Sequence, residues 1–332
     1  MTQHYYRRQM IRWLGTSGAM MAAFSTQASA QTDLSKVTLR VAHYKGGWDL
    51  GLKSAKVDNF PYKVVYNEFT GGNLMIQAIN AGAIDLASCS EIPPLFAAEQ
   101  SAIKIIAATK NTTRGQALIV SKDSKAKTVY DLKNKKVGYV RSTTAHYFLL
   151  KMLEKVGLTF RDIEALPLNT TDGFAALTSG NIEAMATYGF TIQLAIKQGA
   201  RILESAEDIL SGNFMIVADP GAIKDPGKKA AIADYLCRIQ SFFNWQAKNP
   251  EEWTKVYSPA TGIDYDVALS ELKQGLDQRK PQVLPTSDEA IASQQKVADA
   301  FYQSGVLASP VTVKALWDGS LNAEVSQCAA KA

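Results

Sequence analysis

Histidine and cysteine are scarce in this chain, with three of each in 332 residues. His4 lies in an N-terminal segment read below as removable, which leaves His43 and His146. A catalytic zinc site or a histidine-dependent triad would have to run through one of these two. Cys89, Cys237 and Cys328 are an odd set, so at least one is unpaired. Their gaps of 148 and 91 residues match no metal-site spacing. A strong charge imbalance is missing too. The formal net charge is +5, and taking away the three arginines of residues 1–30 leaves +2 for residues 31–332. That is too little to argue for nucleic acid or an anionic membrane surface as partner. No apolar run beyond the N-terminus approaches membrane-spanning length. Gly71-Gly72 lacks the G-x-G-x-x-G and Walker spacings, so a nucleotide site is not indicated.

What is present begins at the N-terminus. Arg7, Arg8 and Arg12 come without an acid, Trp13 to Phe24 are mostly small or apolar, and Ala28-Ser29-Ala30 offers small residues at positions −3 and −1 of a cleavage site. That order predicts a cleaved secretion signal over residues 1–30. The Arg7-Arg8 pair fits a twin-arginine signal and equally a Sec signal with adjacent arginines. No cysteine lies near the cleavage point, which argues against a lipid anchor and for a free periplasmic protein.

The remaining chain alternates strands and helices. Strands are expected at 37–42, 62–67, 84–88, 103–109, 117–121, 136–140, 163–168, 182–187 and 201–204, helices at 73–81 and 144–156, and an almost purely helical region from about Asp225. This argues for an α/β fold with mainly parallel sheets. A weak repeat runs through it. Ala78 to Asp85 resembles Ala176 to Glu183, each a helix ending near a glycine with a strand two residues on, about 98 residues apart. Two related lobes follow, with a cleft between them.

In open α/β sheets ligands bind beyond the carboxyl ends of the strands. The loops there are Tyr44 to Trp48, Thr70 to Asn73, Cys89 to Ile92, Thr112 to Gly115, Arg141 to Thr144 and Tyr188 to Phe190. Glycines let backbone N–H groups approach a ligand. Ser, Thr and Asn cap helix starts, where free N–H groups and the dipole favour an anion. Ser142-Thr143-Thr144 is the best example; plain capping is the competing reading. Arg114 is a candidate anion contact or a partner for a surface carboxylate. Trp48, Tyr188 and Phe190 either pack on an apolar ligand tail or fill core. Glu91 either binds a ligand amine, pairs with Arg114 or faces solvent. His146 either donates to the anion or supports the cap. Trp245 and Trp253 read as core.

These stretches, taken in order, resemble the aliphatic-sulfonate and taurine-binding proteins of ABC importers, within the nitrate/sulfonate/taurine group. The resemblance rests on Ala78 to Glu91 with Pro93-Pro94-Leu-Phe-Ala-Ala98, and on Val129-Tyr-Asp-Leu-Lys-Asn-Lys-Lys-Val137. It continues through Ser142 to His146 with Leu149, Leu153 to Leu158, Ala175 to Gly180 with Glu183-Ala184, Gln294-Gln295 and Val297 to Phe301. It implies a type II periplasmic-binding-protein fold: two α/β lobes, a central cleft and two interlobe crossings near 117 and 215. Lobe 1 would comprise residues 31–117 and 216–332, with the helical tail packed on it, and lobe 2 residues 118–215. The implied protein is a monomer without cofactor. It captures a small organic anion, a sulfonate or taurine-like compound, for a membrane permease and its ATPase. Its ligand loops would map to Gly46-Gly47-Trp48, Gly72-Asn73, Ser90-Glu91, Ser142 to His146 and Tyr188.

Departures fall in the expected pocket. Ser142-Thr143-Thr144-Ala145-His146 stands where relatives often carry Gly-Ser-Ser-Ala-His. Tyr188-Gly189-Phe190 replaces Trp-Asp-Pro, Ser90-Glu91 replaces Gly-Asp, and the usual apolar helix after Trp48 is not expected. Nitrate, a carboxylate or an aromatic acid remain alternative ligands. The same fold is shared by a desulfinase with a cysteine nucleophile and a pyrimidine-synthesising protein with a cysteine-rich motif. The desulfinase nucleophile lies after the first strand, where Tyr44 to Trp48 has no cysteine, and no cysteine-rich motif is present. Cys89, with His146 across the cleft, is the one thiol in a pocket-facing loop.

Overall fold

The computed structural model describes residues 33–97 and 103–330; the expected signal segment lies outside them. The chain runs β1 (Thr38–His43), α1 (Trp48–Ser54), β2 (Lys63–Glu68), α2 (Gly72–Asn80), β3 (Leu86–Ser90), α3 (Pro93–Ala97), β4 (Lys104–Lys110) and β5 (Gln116–Val120). It continues with β6 (Lys136–Tyr139), α4 (Thr144–Lys155), β7 (Glu164–Pro167), α5 (Thr170–Thr178), β8 (Ala184–Tyr188), α6 (Phe190–Lys197), β9 (Arg201–Ser205) and β10 (Asn213–Ala218). The rest is α7 (Pro220–Lys224), α8 (Pro226–Lys248), α9 (Pro250–Thr261), α10 (Tyr265–Gln278), β11 (Gln282–Leu284), α11 (Asp288–Gln303) and α12 (Asn322–Ala330).

Two sheets form, ordered β11-β4-β10-β3-β1-β2 and β7-β6-β8-β5-β9. They share one plan. The parallel trio β3-β1-β2 matches β8-β6-β7, and each trio is flanked by an antiparallel strand, β10 in one sheet and β5 in the other. The repeated segments occupy equivalent places: α2 leads through Gly82 into β3, and α5 through Gly180 into β8. Both glycines have positive φ, +69° and +75°.

The sheets are therefore mixed rather than mainly parallel. β5 and β10 arrive straight from the other sheet without a crossover helix, so each enters at the cleft and runs against its neighbours. β10 and β11 were not expected from the sequence. β10 is a short unbroken apolar run without strand alternation, and β11 has three residues. The chain changes sheet over residues 111–115 and returns over 206–212. The expected crossings at 117 and 215 fall inside β5 and β10, because a strand committed to one ladder cannot be shared between sheets. The segment after Trp48 does form a helix, α1, with Gly51 and Leu52 buried.

Each sheet has its own apolar core. In α4 the buried residues Ala145, Phe148, Leu149, Met152 and Leu153 recur at the spacing of one helical face. Tyr235, Leu236, Ile239 and Phe242 of α8 pack with Leu39 and Val41 of β1. A further cluster joins the two halves: Ile92, Leu95, Val297 and Phe301 pack with Leu150 of α4. The helical tail thus covers the first sheet and, through α11, also touches a helix of the second. Cys237 of α8 and Cys328 of α12 form a disulfide, and Cys89 is free and buried. No helix among the described residues is long and apolar enough to cross a membrane.

Candidate binding cavity

A cavity of about 630 Å³ opens where the carboxyl ends of the strands meet. Its lining includes the first residue of six helices: Trp48 of α1, Gly72 of α2, Pro93 of α3, Thr144 of α4, Thr170 of α5 and Phe190 of α6. A helix start carries free N–H groups and partial positive charge, although α3 opens with Pro93-Pro94, which have no N–H to offer. At α2 and α6 the capping residues are Gly71 and Gly189, so no side chain occupies those N–H groups. Gly72 is forced by packing, since a Cβ there would lie 2.5 Å from the Cβ of Cys89. Gly46 has φ +68°, and its missing side chain would collide with Tyr257 and Thr261.

Of the residues singled out from sequence, Gly46, Gly47, Trp48, Gly72, Ser90, Arg114, Thr143, Thr144, Tyr188 and Phe190 line the cavity. Four do not. Asn73 borders a smaller neighbouring cleft and donates from Nδ2 to the Arg141 carbonyl at 3.4 Å. Ser142 turns the chain before α4 with φ +61°. Glu91 is buried behind β3, where Ser211, Ser293 and Asn213 donate to its carboxylate at 2.6, 3.0 and 3.4 Å. It neither pairs with Arg114 nor faces solvent; burial raises its pKa against those three donors. His146 is 4% exposed and ringed by Phe96, Tyr139, Phe160 and Phe301. Burial lowers its pKa to about 4, so it is neutral at physiological pH; its Nδ1 accepts from the Ser142 N–H at 3.4 Å beside the start of α4, and it does not line the cavity.

Thr143 also differs from expectation. Its hydroxyl donates to the Val140 carbonyl at 2.7 Å and accepts from the Ala145 N–H at 3.2 Å. It is a helix cap with its proton already committed. The Tyr188 hydroxyl is buried beside the Thr143 side chain, and burial pushes its pKa up to about 12 against that contact.

The cavity's guanidinium groups are engaged by the protein. Arg114 donates to Gln274 at 2.6 Å and meets Glu207 at 3.3 Å. Arg279 donates to the carbonyls of Asn111 and Ser211 at 3.0 and 3.1 Å. Glu271, bonded by Gln193 of α6, has its pKa raised by burial. The Lys45 ammonium lies 5.8 Å from the Phe190 ring centre.

Sequence reading missed several lining residues. Gln116 has a buried Oε1 without a partner, and Thr170, Thr191 and Arg279 also face the cavity. So does a wall from α8, α9 and α10 that includes Phe242, Phe243, Trp253 and Tyr257. Trp253 thus belongs to the core and to the cavity at once. Helical periodicity marks such residues as buried without saying what lies against them.

Two α/β sheets on one plan, with a cavity at their facing carboxyl ends and several helix starts in its wall, define a two-sheet solute-binding protein. The chain belongs to the periplasmic substrate-binding proteins of ABC transporters. The family model described as the phosphonate-binding periplasmic protein of an ABC transporter matches residues 58–257. A protein of Escherichia coli (strain K12) named for binding aliphatic sulfonates is 30% identical over 304 residues, covering 89% of this chain and 93% of that one. The alkanesulfonate-binding protein SsuA from Xanthomonas axonopodis pv. citri, solved bound to MOPS, superposes with a TM-score of 0.76 at 25% identity, covering 85% of this chain and 98% of that one. The desulfurization enzyme DszB shares the fold alone, with a TM-score of 0.59 at 14% identity, covering 88% and 99%.

Proposed function

We propose that this protein is the capture component of an importer for an organosulfonate, an alkyl or aryl sulfonate or a taurine-like compound. The observation that carries the reading is the convergence of helix starts on a cavity whose arginines are already committed to protein acceptors. A sulfonate is a monoanion across physiological pH and presents only acceptor oxygens. It suits neutral donors and partial positive charge, with no full counter-cation required. The uncapped N–H groups of α2 and α6, the Thr144 and Ser90 side chains and the Tyr188 phenol are the proposed donors. The names of the relatives at 30% and 25% identity support the same ligand class. A phosphonate, the class in the family model's description, takes a second negative charge near neutrality and would draw on a free cation more heavily. Thermal-shift assays against sulfonates, phosphonates, carboxylates and inorganic anions test this, since a ligand bound only by the folded state raises the melting temperature. No shift with any sulfonate, together with tight binding of a neutral or cationic solute, overturns the reading.

The two sheets are proposed as two lobes that close on the ligand and present it, as a monomer, to a permease and its ATPase. Export of the mature chain to the periplasm, after removal of residues 1–30, completes the proposal. The Cys237–Cys328 disulfide suits that oxidising compartment. N-terminal sequencing of the exported protein tests the cleavage site. The protein is proposed to have no enzymatic role. Cys89 is fully buried, and burial pushes its thiol pKa far up, whereas a nucleophilic cysteine needs a depressed one. Sulfite release from an aryl sulfinate, lost in Cys89→Ser, would overturn that part.

A further inference from the structure

Helix α10 belongs to the tail over the first sheet, yet its polar side chains bond elsewhere. Asp264, the residue before it, meets Lys197 of α6 at 3.1 Å. Glu271 accepts from Nε2 of Gln193, also on α6. Gln274 accepts from Arg114 of the outgoing crossing at 2.6 Å. Gln278 accepts from the Thr112 hydroxyl and the Thr113 N–H at 2.5 and 3.2 Å, and donates to Glu207 of the return crossing at 3.0 Å. At 3.6 residues per turn these four positions fall within about 80° of one another, so they form one face of the helix. α6, on the other side, packs into the core of the second sheet through Ile192 and Ala195.

The remainder of α10 is loosely covered. Of its fourteen residues only Ala268 and Gly275 are buried, whereas α8 buries eight. The two ends of the polar face have different partners. The C-terminal end holds both crossings, and Gly275 lets it lie close, since a Cβ there would stand 3.3 Å from Thr112. The N-terminal end holds α6. The helix is therefore seated at the pivot and fastened to the opposite sheet's helix.

We propose that α10 is a latch between the two lobes. The Gln193–Glu271 and Lys197–Asp264 contacts form on closure and break on opening, while the Gln278 end stays on the crossings. This rests on the two-lobe reading above and adds that part of the closing free energy comes from side chains that need no ligand. Gln193, Lys197 and Asp264 do not border the cavity. The latch thus shifts the balance of open and closed forms, and with it the apparent affinity, without touching the bound molecule.

Spin labels at Asp58→Cys and Lys135→Cys, exposed positions on the two lobes, report that balance by pulsed electron resonance in the protein without ligand. Cys89 is buried and Cys237 is paired with Cys328, so the introduced cysteines take the label. Lys197→Ala should raise the ratio of open to closed protein about two- to fivefold, the range for one exposed ion pair. Adding Gln193→Ala should bring the rise to about tenfold or more. Lys155→Ala removes another exposed pair, Lys155–Glu204 at 2.9 Å, which lies within the second lobe, and should leave the ratio unchanged. Melting curves report on the fold of each variant, and the exposed Lys197→Ala change decides the matter if the double variant does not fold. Two distances whose ratio the latch variants leave unaltered, or an equal rise in Lys155→Ala, overturn the latch and leave the two lobes standing. One fixed distance in all four proteins overturns both.

Discussion

The ring of His146 on α4 lies 5.1 Å from that of Phe301 on α11, joining a helix of the second sheet to the tail that covers the first. An imidazole in such surroundings is held neutral. Burial lowers its pKa from 6.5 to about 4, so the native state binds fewer protons there than the unfolded chain. The stabilising balance is fully present above the unfolded pKa and is lost as pH falls through the folded one. Between pH 7 and pH 5 this single group should cost about 2 kcal/mol of stability. Urea unfolding at the two pH values should show that difference shrinking in His146→Phe, which removes the titrating group and keeps a ring. An unchanged pH dependence would contradict the assignment.

Ser142 occupies the left-handed region, φ +61°, just before α4. A residue with a Cβ pays about 1–2 kcal/mol there, while glycine gives back part of that through its freer unfolded chain. Ser142→Gly is therefore expected to stabilise the fold by about 0.5–1 kcal/mol, read as a rise in melting temperature. A fall would show that the serine hydroxyl matters more than the backbone.

Thr143 and Thr144 are adjacent but have different tasks. Removing the cap hydroxyl in Thr143→Val should lower stability by about 1 kcal/mol, because it severs the bonds to Val140 and Ala145. In Thr144→Val the altered side chain lines the cavity. Sulfonate affinity should drop about tenfold, in line with roughly 1–3 kcal/mol for an unpaired acceptor. Paired melting and titration curves on both variants separate the two roles.

The Cys237–Cys328 disulfide closes a loop of 91 residues and fastens α12 to α8. Loop-closure entropy puts its contribution at about 4.6 kcal/mol. The double variant Cys237→Ala/Cys328→Ala should show that loss in urea unfolding, with ligand affinity preserved because neither residue borders the cavity. A negligible change would mean that packing of Val325 of α12 and of Leu321 just before it already suffices.

Much of this protein was legible in the amino-acid order. Alternating strands and helices, the glycine-ended repeat at Gly82 and Gly180, and the loops at Gly46, Gly72, Thr144 and Tyr188 follow from local backbone preference and periodicity. These are properties of neighbouring residues, so sequence alone determines them. The tertiary structure decided what long-range contact controls. It turned β5 and β10 antiparallel, since only the route between sheets sets their direction. It buried His146 and Glu91 away from the cavity, although each lies within two residues of a side chain that lines it. It also brought Phe242, Trp253 and Tyr257 to the cavity from a region read as helical core. A helix pattern tells which side of a helix leaves water. Whether that side meets other side chains or an open chamber depends on elements far away in the chain, and that is settled only when the two sheets and their helices are assembled.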